Sequence, residues 1–323
     1  MELLPVVRGL ASCVPGWYSW NLRRRTLRTA NPAYCYSWWI RHIALLELSG
    51  HRPVLQTVAE LGPGGSLGVG LASLLSGANT YYALDIVRYS EVELSLRMLD
   101  GLIELFRKRT PVVLSYAEPN ERPVFPSNLL TSDVLERSLN AERIADIRRA
   151  LTAADGRSGP ITIQYTVPWS DPAVVRKGEV DLIISTSVLE HVDDLAGTYG
   201  AFAQWLRPDG LMSHSVDFRS HFNTSAWNSH WEYPEAVWKL VVGRKPFLIN
   251  RQPCSPHVAQ MKANGFEVTR ESRKRERGLP ASKLARRWRG MDGDDITCIE
   301  STLQGRLMLS SGGVGTVPNP RVS

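Results

Sequence analysis

Four of the seven histidines in this 323-residue chain, His191, His214, His221 and His230, fall within forty residues of one another. Imidazole titrates near neutrality, so such a cluster can take up and return a proton. Asp217 stands between His214 and His221, where it can orient one of them or hold a substrate. The grouping suits general-base chemistry, with His191 or His221 as base and Asp217 as orienter or substrate ligand. A plainer alternative exists for His191, which can simply cap the helix that follows it. The run His214-x-x-Asp217-x-x-x-His221 crosses a strand end into an irregular loop, so its side chains need not converge, and no metal site is expected.

A second constellation lies upstream. The turn Glu60-Leu61-Gly62-Pro63-Gly64-Gly65-Ser66-Leu67-Gly68 joins an apolar, β-branched run at 54–61 to a helical pattern at 68–75. Glycines there permit positive φ and let backbone N–H groups approach a carboxylate-bearing or anionic ligand at the positive end of the helix. Asp85 closes the next apolar run, 80–86, where a carboxylate can accept hydrogen bonds from two ribose hydroxyls. Together they read as a nucleotide-type cofactor site. Leu67 occupies the third glycine position of the dinucleotide fingerprint, which disfavours NAD.

Three further segments extend the pattern. They are Val180-Asp181-Leu182-Ile183-Ile184-Ser185-Thr186-Ser187-Val188-Leu189-Glu190-His191-Val192, then Leu206-Arg207-Pro208-Asp209-Gly210-Leu211, and a closing β pair. Over residues 54–309 the order resembles the class I methyltransferases that use S-adenosyl-L-methionine. The resemblance implies that 180–185 is the fourth strand, that Leu189-Glu190-His191-Val192 begins the next helix, and that Arg207 to Gly210 turns into the fifth strand. It also implies that Glu60, Gly62, Gly64, Gly65 and Ser66 pass the methionine part of the cofactor and that Asp85 holds the ribose. Residues 167–171 would then meet the adenine, and Ser185, Thr186 and Ser187 would complete the cradle. Tyr34 to Trp38, Tyr81 to Asp85, and Asn250-Arg251 add a closer likeness, to bacterial methyltransferases of sugar or secondary-metabolite modification. That group carries an acidic residue after Gly-Pro-Gly, where this chain has Gly65.

Positioning these residues calls for an α/β fold, a doubly wound, mostly parallel, seven-stranded sheet of Rossmann-like type. We expect a helical cap at 1–52, a methyltransferase domain at 53–309 with insertions near 110–158 and 219–256, and a disordered tail at 310–323. The cap carries Trp17, Trp20, Arg23, Arg24 and Arg25 ahead of a helix at 33–48. Ser90 to Glu93 reads as a capping box for a helix ending near Arg109. The first insertion contains an amphipathic helix over 132–153. The second holds Trp227, Trp231, Tyr233 and Trp238 beside the strand ends, where a substrate lid belongs. His214, Trp231 and Tyr233 are candidate substrate ligands; the aromatics can equally form the lid's own small core.

The bulk composition narrows the function classes. A 43% apolar content supports a substantial core, and 38 basic against 32 acidic residues give +6, short of a dedicated nucleic-acid binder. Four scattered cysteines suggest neither a zinc site nor a disulfide framework, and the chain reads as cytoplasmic. No window has the ~18 consecutive apolar residues of a membrane span. We therefore expect methyl transfer to a hydroxyl or amine of a small molecule or sugar precursor, without nucleic acid or membrane partners. The N-terminal helices offer a surface for a homodimer. The alternatives are an NAD-dependent oxidoreductase, an RNA or polyanion methyltransferase suggested by basic clusters at 270–277 and 283–289, and a non-catalytic protein retaining the fold.

Overall fold

The structure, a computed structural model, describes residues 1–14, 28–114, 122–221, 224–245 and 247–308. The tryptophan- and arginine-rich stretch at 17–25 and the tail at 310–323 lie outside them. Among the described residues eight strands are formed, at Thr57–Leu61 (β1), Thr80–Leu84 (β2), Arg157–Ser158 (β3), Ile161–Thr166 (β4), Val180–Thr186 (β5), Leu206–Asp217 (β6), Phe266–Arg275 (β7) and Cys298–Leu307 (β8). They make one sheet in the order β3-β4-β2-β1-β5-β6-β8-β7. Pairing is parallel from β4 through β2, β1 and β5 to β6, and antiparallel at β3–β4, β6–β8 and β8–β7. The doubly wound, mostly parallel sheet is as expected, with one strand more than the seven anticipated. The addition is β3, whose two residues are too few to leave a periodic signal.

Ten helices are described: Leu4–Ala11 (α1), Pro32–Leu48 (α2), Gly68–Leu74 (α3), Val92–Arg107 (α4), Ser132–Ser138 (α5), Ala141–Thr152 (α6), Leu195–Trp205 (α7), Glu235–Val242 (α8), Cys254–Ala263 (α9) and Gly293–Thr297 (α10). Successive strand residues point to opposite faces, so the parallel strands must be apolar on both. Val58, Leu182 and Ile184 pack with Trp39, Ile40, Leu71, Leu102 and Ile147 from α2, α3, α4 and α6. Ala59, Leu61 and Ile183 pack the other way, onto Phe202, Trp205 and Met261 of α7 and α9. The chain runs outward from β1 through β2 to β4 and then returns to β5 on β1's other side. The strand order therefore reverses between β1 and β5, where a cleft opens at the carboxyl ends.

Local chemistry sets the helix boundaries. Pro32 opens α2, and the Asn31 side chain accepts the Ala33 N–H at 2.9 Å. The amphipathic stretch at 132–153 is two helices rather than one, because Asn140 caps α6 by accepting the Arg143 N–H at 2.8 Å. No capping box forms at Ser90. Its hydroxyl lies 3.3 Å from the Ser95 hydroxyl, and Glu91 occupies the N-cap without a side-chain bond. Leu189 to His191 form a 3-10 turn, and the helix α7 starts later, where Asp194 accepts the Gly197 N–H at 2.9 Å.

Four histidines, His42, His214, His230 and His257, are fully buried, and burial pushes the pKa of each down to about 3. The unfolded chain takes up these protons near 6.5 and the folded chain only near 3, so each histidine's stability contribution is present above pH 6.5 and is lost as pH falls through that window. Buried Glu60, raised to about 7, runs the opposite way. We expect His257→Gln to flatten the pH dependence of unfolding free energy by about 1.4 kcal/mol per pH unit between roughly pH 6 and 4. Urea titrations of both proteins across that range check this; parallel pH curves would contradict it.

Candidate functional site

The glycine turn adopts left-handed backbone where expected. Gly62 has φ 66° and Gly64 φ 74°. A Cβ on Gly62 would stand 2.5 Å from Val188 Cγ2, so the turn passes tightly beneath the chain leaving β5. The Gly65 N–H donates to Thr29 Oγ1 at 2.9 Å, and the Ser66 hydroxyl donates to the Thr29 carbonyl. Gly64, Gly65 and Ser66 thus lie under the segment preceding α2. Glu60 is also turned away from the cleft: Tyr81 donates its phenol O–H to Glu60 Oε2 at 2.6 Å, and the Gly70 N–H reaches the same carboxyl, fastening α3 to β1. Sequence position gave no warning, because the side chain's direction depends on which face α3 covers.

Asp85 sits just past β2, 6% exposed. Its carboxylate accepts the Ile86 N–H at 2.8 Å and the Gly64 N–H at 3.4 Å. Burial raises its pKa above the ordinary value, and these backbone donors oppose the rise. Gly62, Asp85, Ile86, Trp169, Val188 and His191 line a cleft of about 620 Å³. The segment after α8 covers it with Phe247, Asn250 and Arg251. Asn250 latches this cover to the turn carrying His191: its side-chain amide donates to the Leu189 and Val192 carbonyls at 2.8 and 2.7 Å, and its N–H donates to the Glu190 carbonyl at 2.6 Å. The Arg251 guanidinium stacks over Trp238 and Trp288, 4.5 and 5.5 Å from their centroids, and donates to the Tyr233 carbonyl and the Glu235 carboxylate.

His191, His221 and Asp217 are brought together. The His191 and His221 rings lie 5.1 Å apart between centroids, and His221 Nε2 is 3.3 Å from Asp217 Oδ2. Arg219 also grips Asp217, at 2.7 and 2.8 Å. Burial alone would raise the Asp217 pKa, yet the hydrogen bonds from His221 and Arg219 hold it well below the usual carboxylate range. His221 has φ 49°, a left-handed conformation unusual for a residue with a Cβ. A second cavity of about 580 Å³ opens beside Asp217, lined by Tyr34, Trp38, Arg41, Ser187 and Lys274. The row of three side chains therefore has His191 on the first cleft and Asp217 on the second cavity.

Other expected site residues are elsewhere. His214 is fully buried, stacked on Phe202 at 5.0 Å and bonded through Nδ1 to the Ser185 hydroxyl at 2.8 Å. The Thr186 hydroxyl meets His42 Nε2 at 3.1 Å. Trp231 and Tyr233 are fully buried too, donating to the Arg251 carbonyl and the Glu2 carbonyl, both at 2.8 Å. None of His214, Trp231 or Tyr233 can meet a substrate from there: the lid aromatics form its own core. Trp38, Arg41 and Lys274 were not anticipated at a cavity. Trp38 and Arg41 are one helical turn apart and stack at 4.9 Å, a spacing visible in sequence but without a marker of which face of α2 it occupies. Among the described residues no three His, Cys, Asp or Glu side chains are grouped to hold a metal ion.

The sequence matches the methyltransferase domain family model over residues 75–271, more than half of the chain, and the protein belongs to that family. It is a class I, S-adenosylmethionine-dependent methyltransferase. No curated protein matches it. Solved structures with a similar fold include an S-adenosylmethionine-dependent methyltransferase from Mesorhizobium loti, 14% identical with a TM-score of 0.41, aligned over 82% of this chain and 97% of that one. A SAM-dependent methyltransferase from Methanosarcina mazei is 10% identical, TM-score 0.43, over 82% and 98%. Phosphoethanolamine N-methyltransferase 2 from Haemonchus contortus, in complex with S-adenosyl-L-methionine, is 12% identical, TM-score 0.42, over 92% and 61%. At these identities the likeness is one of fold.

Proposed function

We propose that the protein transfers the methyl group of S-adenosylmethionine to a hydroxyl or amine of a small molecule or sugar precursor, with the cofactor in the 620 Å³ cleft and the acceptor in the cavity beside Asp217. The observation that carries this reading is the row His191, His221, Asp217, which touches both spaces. The cleft suits the cofactor: a buried carboxylate, Asp85, stands at one end for the ribose diol, and the glycine turn brings backbone close at Gly62. Ile86 and Trp169 supply apolar surface for the adenine, and Gly62, the residue of the glycine turn that lines the cleft, faces the amino-acid moiety. Bound there, the cofactor supplies an electrophilic methyl group.

The chain's own task is to align the acceptor, exclude water and remove a proton. Asp217 accepts from His221 Nε2, which keeps the imidazole hydrogen on that nitrogen and leaves Nδ1 as the basic one. The His191 ring lies 5.1 Å from that of His221, and Asn250 holds its turn in place. Tyr34, Trp38 and Arg41 offer an aromatic and cationic wall to the acceptor. Incubating the protein with methyl-labelled S-adenosylmethionine and fractions of small metabolites tests the proposal. Label is expected in a hydroxyl- or amine-bearing small molecule; label appearing only in RNA or protein would contradict it.

A further inference from the structure

Helix α1 packs inside out. Its buried residues are the small Pro5 and Gly9, with Ser12 just past its end, while Leu3, Leu4, Val7, Leu10 and Val14 face solvent, Leu3 at 70% exposure. Gly9 explains the inversion. A Cβ there would stand 1.9 Å from the Leu240 carbonyl oxygen, so α1 lies with its backbone directly on α8. Ser12 Oγ accepts the Arg244 N–H at 2.9 Å, the Ser225 N–H donates to Glu2 at 2.7 Å, and Tyr233 donates to the Glu2 carbonyl. These contacts fix the roll of the helix. A free amphipathic helix would turn its large apolar side chains inward; here Val6 packs inward, against the cluster of Tyr233, Trp238 and Val241, and Leu4, Val7 and Leu10 are held outward. Leu240 of α8 and Phe247 at the 620 Å³ cleft are exposed as well.

The border of this surface is basic. Arg8, Lys239 and Arg244 make no ion pair among the described residues, while Lys245 is half-buried and lines the cleft. The nearby acids are already engaged, Glu2 by Ser225, Glu232 by the Met1 amino group, and Glu235 by Arg251 and Arg287. We infer that α1 and α8 form a seat for an anionic lipid surface, with the exposed leucines and valines entering the boundary between headgroups and acyl chains and Arg8, Lys239 and Arg244 meeting lipid phosphates. A second copy of the same face is a poorer occupant, since a two-fold contact sets these like charges opposite one another. None of the described helices is long and apolar enough to cross a membrane, so the contact is peripheral. The inference stands apart from the methyl-transfer reading.

Co-sedimentation of the full chain with vesicles tests it. Phosphatidylcholine vesicles carrying roughly 30% phosphatidylglycerol should bind at least about tenfold more protein than pure phosphatidylcholine, and added salt should weaken the binding. Leu3→Asp/Val7→Asp/Leu10→Asp should reduce binding about tenfold or more. So should Lys239→Glu/Arg244→Glu, which alters only side chains outside the apolar face and keeps the melting temperature and S-adenosylmethionine affinity of the wild type. Equal binding to neutral and anionic vesicles, or full binding by the charge-reversed variant, would overturn the proposal. A wild-type dimer that ignores vesicles and dissociates in the apolar-face variant would overturn it in favour of a second copy.

Discussion

Asp85→Ala is expected to lower affinity for S-adenosylmethionine by about 10²- to 10³-fold. The carboxylate stands at the end of β2 in the cleft, and two ribose hydroxyls donating to it form charge-assisted hydrogen bonds, each contributing roughly 1.5–3 kcal/mol. A loss of about 3–4 kcal/mol corresponds to that range, at roughly 1.4 kcal/mol per tenfold. Part of the effect could come from the turn, because Asp85 also accepts the Gly64 and Ile86 N–H groups. Asp85→Asn separates the two. Its side-chain carbonyl can still accept from Ile86 while the charge is gone, so about a tenfold loss is expected with an unchanged melting temperature. Calorimetric titration measures both variants; wild-type affinity in a folded Asp85→Ala protein would remove the ribose role.

His221→Ala is expected to cut turnover by about 10²- to 10⁴-fold, the usual contribution of a positioned general base, while leaving cofactor affinity within about threefold. Asp217→Asn should fall in the same direction by about 10²-fold, since an amide no longer fixes the imidazole hydrogen on Nε2. Single-turnover kinetics with the first acceptor found to be methylated measure these effects. Full turnover in both His191→Ala and His221→Ala would mean that neither removes the proton.

The sheet was legible because its strands are short, doubly covered apolar runs, and because glycines mark the β1–α3 turn, where the backbone is left-handed at Gly62 and Gly64. The place of Asp85 at the cleft was readable by its distance from that turn. What sequence could not supply is direction. His214 lies in β6 as expected, but both faces of this strand are packed, and nothing in the sequence tells a histidine facing α7 from one facing a cleft. Glu60 was misread for the same reason. Asn250 was flagged by likeness alone; its role as a latch depends on carbonyls sixty residues earlier in the chain. The outward roll of α1 follows from the contact of Gly9 with Leu240, a pairing across more than two hundred residues that no local pattern carries.

The central claim, that the cleft between β1 and β5 holds the cofactor and faces the acceptor across the His191–His221–Asp217 row, is tested most directly by a crystal structure with S-adenosylhomocysteine. The account predicts the ribose diol on Asp85, the adenine against Ile86 and Trp169, and the sulfur directed toward Ser187 and the Asp217 cavity. A ligand bound away from Asp85, or with its sulfur sealed off from that cavity, would contradict it.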